Sequence, residues 1–553
     1  MTIIQTDTAS GGSGTSPTRL IGIALGLAVL AAALKLILLK LDVFPFNADE
    51  AIVALMARHI LAGRIPVFFY GQAYMGSLDA VLVAAAFRML GESVLAIRTI
   101  QTVLYSATVA TAVYLAWKIH GRLWLAFAAG LLLAIPTVNT TLYTTVSLGG
   151  YGEAILIGNL LMLAAWASWQ KPERQAAYLA WGFLAGLGIW AFGLVLVFVV
   201  PTALLVACSL RKLTRPAAGS RLLLALAAGA AGLLPLLVWI AANGAHAALL
   251  ELAGSAIAGA SPAGVLPALA YRAGNLLLFG TTVVMGMRPP WSVEWLSPWL
   301  LPVVFGFWLA VAAFALRALR RVDSARAGRW MLGGVVLATV LGFVLTPFGA
   351  DPSGRYFLPL LVPLAVFAGE LLDGVRDRWG LAWGVALLAG IGLFHLIATS
   401  QVASASPPGF TTQFDAGTRI DHRRDAELVR FLLEQGETRG YTNYWVAYPL
   451  AFLSREQAVF VPALPYHADL RYSPRDDRYP PYQQAVATAP RVAYITTGQP
   501  LLEERLRAGF GALEVEWREA VVGDYHVFYD FGRPIRPEEL NLRPSPLGPI
   551  AGE

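Results

Sequence analysis

Two adjacent carboxylates, Asp49 and Glu50, are the residues whose types and spacing best suit chemistry in this sequence. They begin a segment in which apolar residues recur at helical spacing as far as Ile60. Asp49 lies three residues before Ile52 and seven before Met56, so it extends the apolar stripe of that helix. A carboxylate in an apolar setting can serve as a general base, which makes Asp49 and Glu50 catalytic candidates.

Helix capping offers an alternative account of the same residues. Asn47 as N-cap with Glu50 three residues later matches the capping-box pattern, and acids near a helix N-terminus are favoured by the helix dipole. Capping explains Glu50 well. It does not require Asp49, which is therefore the stronger catalytic candidate.

Polar and aromatic residues follow in two further loops. The segment 70–79 mixes glycines, hydroxyls, an amide and aromatic rings, which suits the binding of a polyol and is also typical of an aromatic belt at a membrane surface. A second loop, 139–153, has a similar composition. The candidates for binding a sugar or an acceptor are Tyr70, Gln72, Tyr74, Tyr143 and Tyr151.

Glu153 closes the second of these loops at the start of an apolar run. An acid at that depth in a membrane is costly unless it is paired, so Glu153 is a further catalytic candidate. The alternative is another carboxylate that stabilises a helix start.

Three arginines stand in loops that the charge pattern described below assigns to the outer face. Arg355, beside Tyr356, is suited to binding a phosphate at the level of the lipid headgroups, and Arg272 and Arg288 are further candidates. Arg355 has two other interpretations: an ion pair with Asp351, or nonspecific contact with lipid phosphate.

Composition indicates the elements that must position these residues. Of the 553 residues, 57% are hydrophobic and 14% are charged, and the mean hydropathy is +0.60. Soluble domains have nearer a quarter charged residues, so lipid must surround most of the chain. Apolar runs recur through residues 19–400, which predicts a membrane domain there, a disordered cytoplasmic segment at 1–18 and a soluble domain at 401–553. Cys208 is the single cysteine, which excludes an intrachain disulfide.

The apolar runs predict an α-helical polytopic membrane protein with about eleven transmembrane helices. Residues 77–90 are too short to span and are assigned to a membrane-surface loop, 42–94, that carries juxtamembrane helices. Fifteen Lys and Arg residues then fall in cytoplasmic loops and six in outer loops, as the positive-inside rule requires. This places the N-terminus in the cytoplasm. It places the C-terminal domain and all candidate residues on the outer face of the cell membrane. The predicted spans are 20–41, 95–117, 123–138, 151–169, 176–192, 193–210, 221–242, 296–317, 330–347, 356–372 and 380–398.

The C-terminal region has the pattern of a small α/β domain. Its aromatic segment Tyr441–Tyr448 suits either the binding of a sugar or core packing. The predicted helices are 423–434, 445–453 and 501–509, and the predicted strands are 440–443, 458–461, 491–496, 513–522 and 525–529.

Taken together, these motifs resemble the GT-C superfamily of integral-membrane glycosyltransferases, in its protein O-mannosyltransferase and aminoarabinose-transferase branch, glycosyltransferase family 39. The resemblance covers residues 20–400 and is carried by motifs. The motifs are Asp49-Glu50 after the first span, Ala96-Ile97-Arg98 opening the next span, Glu153 after the following loop, and Gly354-Arg355-Tyr356-Phe357-Leu358-Pro359 before a late helix.

The resemblance implies an inverting transfer of a sugar from a polyprenyl-phosphate donor to a lipid, glycan or protein acceptor on the outer face. Asp49 would be the general base, and Arg355, with Arg272 or Arg288, would offset the charge of the departing phosphate. No metal or other cofactor is implied. The chain departs from its relatives at 72–77, where they commonly carry a Pro-Pro pair beside a Lys or His.

Other function classes find less support in the sequence. No P-loop, dinucleotide fingerprint, Asp-x-Asp pair or HExxH motif is present, and the basic residues lie in short loops instead of on a nucleic-acid-binding face. A lipid or sugar transporter or flippase remains an alternative, with Lys35 within the first span as its clearest candidate residue. A non-catalytic scaffold for polysaccharide assembly is the third reading.

Overall fold

The computed structural model of the chain describes residues 17–256, 264–405, 409–413, 419–466, 470 and 474–540. The first sixteen residues of the segment predicted to be disordered therefore lie outside the described residues. The described chain is mostly helical, with a small mixed sheet near its C-terminal end.

Eight helices of the described chain are long and apolar enough to cross a membrane, and a bent pair adds a ninth if it counts as one span. The protein is therefore an integral membrane protein. The eight are Pro17–Lys40, Val94–His120, Tyr151–Gln170, Gly193–Leu210, Pro298–Ala318, Arg326–Leu345, Arg355–Trp379 and Leu381–Ala403.

The other three predicted spans form shorter or broken helices. The run 123–138 gives a helix that ends at Ala134, two residues before Pro136, and the run 176–192 gives a helix of 17 residues. The run 221–242 is bent by 68° at Leu233. Pro235 follows the bend, and because it lacks an N–H it cannot continue the hydrogen-bond pattern of the preceding helix.

The α-helices of the membrane domain are α1 (Pro17–Lys40), α2 (Ala48–Leu61), α3 (Leu78–Leu90), α4 (Val94–His120), α5 (Leu123–Ala134), α6 (Val138–Tyr143), α7 (Tyr151–Gln170), α8 (Gln175–Ala191), α9 (Leu196–Leu210), α10 (Arg215–Gly232), α11 (Leu234–Asn243), α12 (Ala245–Ala256), α13 (Val265–Gly274), α14 (Thr281–Val284), α15 (Leu301–Ala318), α16 (Arg326–Leu345), α17 (Leu361–Trp379) and α18 (Leu381–Ala403). A 3-10 helix, Arg355–Leu360, leads into α17.

The segment between α1 and α4 holds the residues of greatest interest. It contains α2, a two-stranded antiparallel hairpin of β1 (Phe68–Phe69) and β2 (Gln72–Gly76), and α3. Helix α2 begins at Ala48 as predicted, and the Asn47 side chain accepts a hydrogen bond from the Glu50 N–H at 3.0 Å. The predicted N-cap is therefore confirmed.

The C-terminal domain has a five-stranded mixed sheet with strand order β4-β3-β5-β7-β6. Helices α19 and α20 pack on one face through residues such as Leu428 and Val446, and α21 and α22 pack on the other through Val486 and Phe510. Every predicted element is present, whereas α21 was missed. The elements are α19 (Asp425–Gln435), β3 (Arg439–Thr442), α20 (Tyr444–Leu453), β4 (Val459–Pro462), α21 (Pro480–Ala487), β5 (Ala493–Thr497), α22 (Pro500–Ala512), β6 (Arg518–Val522) and β7 (Tyr525–Tyr529).

Helix α20 docks the C-terminal domain onto α2. The Phe452 ring lies 5.6 Å from the Phe46 ring, and its backbone carbonyl accepts a hydrogen bond from Arg58 at 3.1 Å. His59 adds a 3.1 Å contact to Glu456, three residues beyond the end of α20. Because α2 is covered by both domains, ten of its 14 residues are buried.

Candidate functional site

The N-termini of α2 and α20 meet at Asp49. The Tyr444 hydroxyl donates a hydrogen bond to Asp49 Oδ1 at 2.5 Å. Tyr444 opens α20 directly after Asn443, whose side chain caps that helix by accepting from the Trp445 N–H at 3.0 Å. Burial raises the pKa of Tyr444 and the Asp49 charge raises it further, so the hydroxyl stays protonated and remains a donor. The carboxylate is thereby fixed in orientation with one oxygen left for another partner.

A cavity of about 300 Å³ opens at Asp49 between the two domains. Its wall combines carboxylates, guanidinium groups and aromatic rings. Such a wall suits a polar ligand that is oriented by a few well-placed groups. Six of the sequence candidates line it: Asp49, Gln72, Tyr74, Tyr143, Tyr151 and Arg355.

Arg355 enters the cavity beside its own counter-ion. Its guanidinium lies 2.5 Å from the Asp351 carboxylate, and 5.2 Å from the centre of the Tyr356 ring. The chain turns at Gly354, whose φ of +84° lies in the left-handed region that glycine adopts most readily. The ion pair was one of the alternatives for Arg355. Tyr356 packs 5.1 Å from the Phe348 ring and does not line the cavity.

The C-terminal domain supplies wall residues that the sequence analysis did not single out as site residues. Tyr466, Asp476 and Arg478 line the cavity together with Tyr444 and Trp445. Burial raises the pKa of Asp476 to about 7, so this carboxyl is close to half-protonated at neutral pH.

The segment that carries Asp476 and Arg478 is fastened to α20. The Tyr448 hydroxyl donates to the Asp476 carbonyl at 2.9 Å and accepts from the Arg478 N–H at 2.5 Å. On the membrane side, Arg478 donates to the Gly71 carbonyl at 3.3 Å. When the Gln72 amide oxygen faces it, Arg478 also donates through both terminal nitrogens at 2.9 Å. This one side chain thus bridges the hairpin and the C-terminal domain.

Glu50 lies away from the cavity and is paired with Arg98. The two side chains are joined by hydrogen bonds of 3.0 and 2.8 Å, and Arg98 also donates to the carbonyls of Phe44 and Pro45 at 3.2 Å each. The Glu50 side chain is completely buried. These contacts favour a structural role for Glu50 over a catalytic one.

Glu153 is buried, half a turn beyond Tyr151 on α7. Its neighbour Asp79 accepts hydrogen bonds from Gln101 at 3.1 Å and from Ser147 at 2.5 Å. Burial raises the pKa of Asp79, and these hydrogen bonds offset part of that effect. Glu153 does not line the cavity.

Tyr70 lies in the contact between the domains. Its ring stacks on Tyr479 with centroids 4.7 Å apart, and its hydroxyl lies 2.8 Å from His59 Nδ1. It does not line the cavity. The contacts of Tyr70 therefore link α2 to the C-terminal domain.

Arg272 and Arg288 also lie outside the cavity wall. Arg272 is buried against Gly349. Arg288 donates to Thr282 Oγ1 at 2.8 Å and to the Ser292 carbonyl at 2.9 Å. Of the three arginines proposed from the sequence, Arg355 alone reaches the cavity.

Lys35 of α1, the candidate residue for a transporter, is fully buried. Its Nζ donates to the Thr144 carbonyl at 2.7 Å, to Thr144 Oγ1 at 2.8 Å and to Thr145 Oγ1 at 2.7 Å. These hydrogen bonds tie α1 to the loop that leads to Tyr151. Within the described ranges, no group of three or more His, Cys, Asp or Glu side chains is placed to hold a metal ion.

Comparison with solved structures finds extensive similarity at low sequence identity. ArnT from Cupriavidus metallidurans bound to undecaprenyl phosphate matches with a TM-score of 0.59 and 13% identity over 93% of this chain and 98% of that chain. The apo state of the same protein matches with a TM-score of 0.57 and 14% identity over 91% and 97% of the two chains. No family model and no curated protein matches the sequence.

Proposed function

Because the chain has the fold of the GT-C superfamily of membrane glycosyltransferases, we propose that it transfers a sugar from a polyprenyl-phosphate donor to an acceptor hydroxyl on the outer face of the cell membrane. The observation that carries the proposal is the position of Asp49. Its carboxylate lines a cavity at the domain contact, held by Tyr444 and accompanied by Arg355. In the first matched structure, ArnT is bound to undecaprenyl phosphate.

Asp49 is the general base in this reaction. The acceptor oxygen attacks the anomeric carbon of the donor, and the bond from that carbon to the phosphate oxygen breaks, which inverts the configuration. The acceptor proton passes to the free oxygen of Asp49, while the Tyr444 hydroxyl continues to hold the other oxygen. A fixed carboxylate is effective because no reorientation is needed as the proton moves.

Arg355 offsets the negative charge that develops on the departing lipid phosphate. A guanidinium suits this role because its parallel N–H groups match two phosphate oxygens. Asp351 holds Arg355 in place at 2.5 Å. We propose that the transfer proceeds without a metal ion.

The remaining wall of the cavity suits a sugar. Gln72 offers amide groups, and Tyr74, Tyr143 and Tyr151 offer hydroxyls and ring faces. A volume of about 300 Å³ is at the lower end of the range for small-molecule sites. The acceptor class is a lipid, a glycan or a protein that presents a hydroxyl at the membrane surface.

A transfer assay in nanodiscs tests the proposal. Purified protein is given a panel of polyprenyl-phosphate sugars, and release of the lipid phosphate is measured for the wild type and for Asp49→Asn. We expect kcat to fall roughly 10²- to 10⁴-fold in Asp49→Asn, the usual contribution of a general base. Asp42→Asn is the matched control, because Asp42 precedes α2 and lies outside the cavity. Unchanged turnover in folded Asp49→Asn would contradict the mechanism.

A further inference from the structure

Arg478 is a cavity-lining cation whose hydrogen-bond donors are only partly used. Arg355 shares its charge with Asp351, and Asp49 accepts a hydrogen bond from Tyr444. No carboxylate forms an ion pair with Arg478 in the part of the chain that the structure describes. Its hydrogen-bond partners are neutral oxygens, those of Gly71 and Gln72.

A guanidinium in this setting has capacity for an anion. Arginine carries five N–H donors, and the Nε of Arg478 is buried without a hydrogen-bond partner. A buried donor or charge that lacks a partner is costly, and a ligand that supplies one recovers that free energy. The adjacent carboxyl, Asp476, has a pKa raised to about 7 by burial and is therefore about half-charged at neutral pH. Asp476 and Asp49 raise the pKa of Arg478 through space, but neither forms a hydrogen bond with its guanidinium. Arg478 therefore keeps hydrogen-bond donor capacity that a bound anion can use.

We propose that Arg478 binds the phosphate of the lipid-linked donor together with Arg355. This inference rests on the proposed function and names a second phosphate-binding residue for the same site. Both arginines line one cavity, but Arg355 comes from the membrane domain and Arg478 from the C-terminal domain. Two guanidinium groups from different domains then contact one phosphate, each with charge-assisted hydrogen bonds.

This assignment supplies the basic group that segment 72–77 lacks. The hairpin carries no lysine or arginine between Gln72 and Ser77, and Arg478 reaches the same place by contacting Gly71 and Gln72. The cation is thus contributed by a residue some 400 positions later in the sequence. Bound phosphate would also hold the C-terminal domain against the hairpin.

Binding of undecaprenyl phosphate, with undecaprenol as its uncharged analogue, tests this assignment without turnover. Affinities are measured in nanodiscs for the wild type, Arg478→Gln, Arg478→Lys and Arg475→Gln. Arg475 is the matched control, since it lies on the same segment but does not line the cavity. We expect Arg478→Gln to weaken the binding of undecaprenyl phosphate about 10- to 100-fold, as is usual when hydrogen bonds to a charged group are lost. The affinity of Arg478→Lys should lie between those of the wild type and Arg478→Gln, because lysine keeps the positive charge but lacks the planar guanidinium group.

The outcomes separate this inference from the proposed function. Selective loss of the phosphate ligand in Arg478→Gln, with undecaprenol binding and Arg475→Gln unaltered, supports it. Equal loss of both ligands means that Arg478 only packs the domains together. Equal affinity of Arg478→Gln and wild type for undecaprenyl phosphate means that Arg478 does not bind the phosphate. Either result overturns this inference and leaves the proposed function standing. A wild type that binds both ligands equally overturns the proposed function as well. If Arg478→Gln does not fold, Arg478→Lys provides the same comparison.

Discussion

The pairing of Glu50 with Arg98 leads to a prediction that separates two adjacent carboxylates. Glu50→Gln keeps the size of the side chain but removes its charge and replaces one acceptor oxygen with an NH₂ group. Arg98, whose side chain is only 7% exposed, then loses one of its two hydrogen bonds to residue 50, which are 2.8 and 3.0 Å long in the wild type. It keeps its hydrogen bonds to two backbone carbonyls. We therefore expect Glu50→Gln to unfold more readily.

The magnitude follows from the burial of the pair. Loss of one hydrogen bond between charged groups costs about 1.5 to 3 kcal/mol, and breaking a buried ion pair by removal of one partner costs about 3 to 5 kcal/mol. Gln retains one acceptor, so we expect the free energy of unfolding to fall by about 3 kcal/mol. Asp49→Asn should leave it unchanged, because the amide oxygen can still accept from Tyr444.

The assay is chemical and thermal unfolding in nanodiscs, run beside the transfer assay on the same preparations. Glu50→Gln should be less stable and retain turnover below its melting temperature, whereas Asp49→Asn should be stable and inactive. The double variant Glu50→Gln/Arg98→Gln is the control, since removing both charges should recover much of the loss. A stable Glu50→Gln protein without turnover would refute the reasoning and make Glu50 the base.

Three further predictions concern the domain contact and the loops beneath it. Gly71→Ala should accelerate hydrogen exchange in segment 474–479, since Gly71 has φ +71° and an added Cβ would lie 2.7 Å from Arg478 Cδ. Gly63→Ala is the control for backbone strain alone, because Gly63 has φ +86° and an added Cβ would have no atom within 4 Å. Asp476→Asn should gain stability over the wild type as the pH rises from 4 to 8 in melting experiments. The reason is that burial raises the native pKa from 3.8 to about 7, so the stability of the wild type falls progressively as the pH rises from about 4 to about 7 and levels off above that. Lys35→Met should lower the free energy of unfolding by about 1 to 3 kcal/mol, because the buried threonine carbonyl at 2.7 Å loses its donor; unchanged unfolding curves would contradict this.

Local signals in the sequence were sufficient for most elements. The cap at Asn47 and the apolar stripe of α2 depend on residues within one or two turns, and the structure confirms the start of the helix at Ala48. Alternation and helical spacing likewise predicted the elements of the C-terminal domain, except for α21. That helix begins with Pro480 and Pro481. Adjacent prolines favour a loop prediction, but they are tolerated in the first turn of a helix.

Contacts distant in sequence could not be read from such signals. Tyr444 and Asp49 are 395 positions apart, and nothing near either residue specifies the other. Arg478 belongs to the run Arg475-Asp476-Asp477-Arg478, which has the composition of a solvated surface. The sequence predicted Arg272 and Arg288 as phosphate ligands because they oppose the positive-inside rule. Neither lines the cavity, and Arg288 instead donates hydrogen bonds to oxygens of its own segment. The topological rule identifies unusual arginines without saying what they bind.

The contact between Tyr444 and Asp49 has a consequence for biosynthesis. Asp49 follows the first membrane-spanning helix and is synthesised early, whereas Tyr444 is synthesised after every membrane-spanning helix of the described chain. Until the sheet that follows has folded and closed a loop of nearly 400 residues, the carboxylate lacks its tyrosine and the cavity lacks one wall. A nascent chain that has inserted the membrane-spanning helices of the described ranges therefore still lacks a complete cavity, which forms only when Tyr444 and the segment that carries Arg478 have been synthesised and folded.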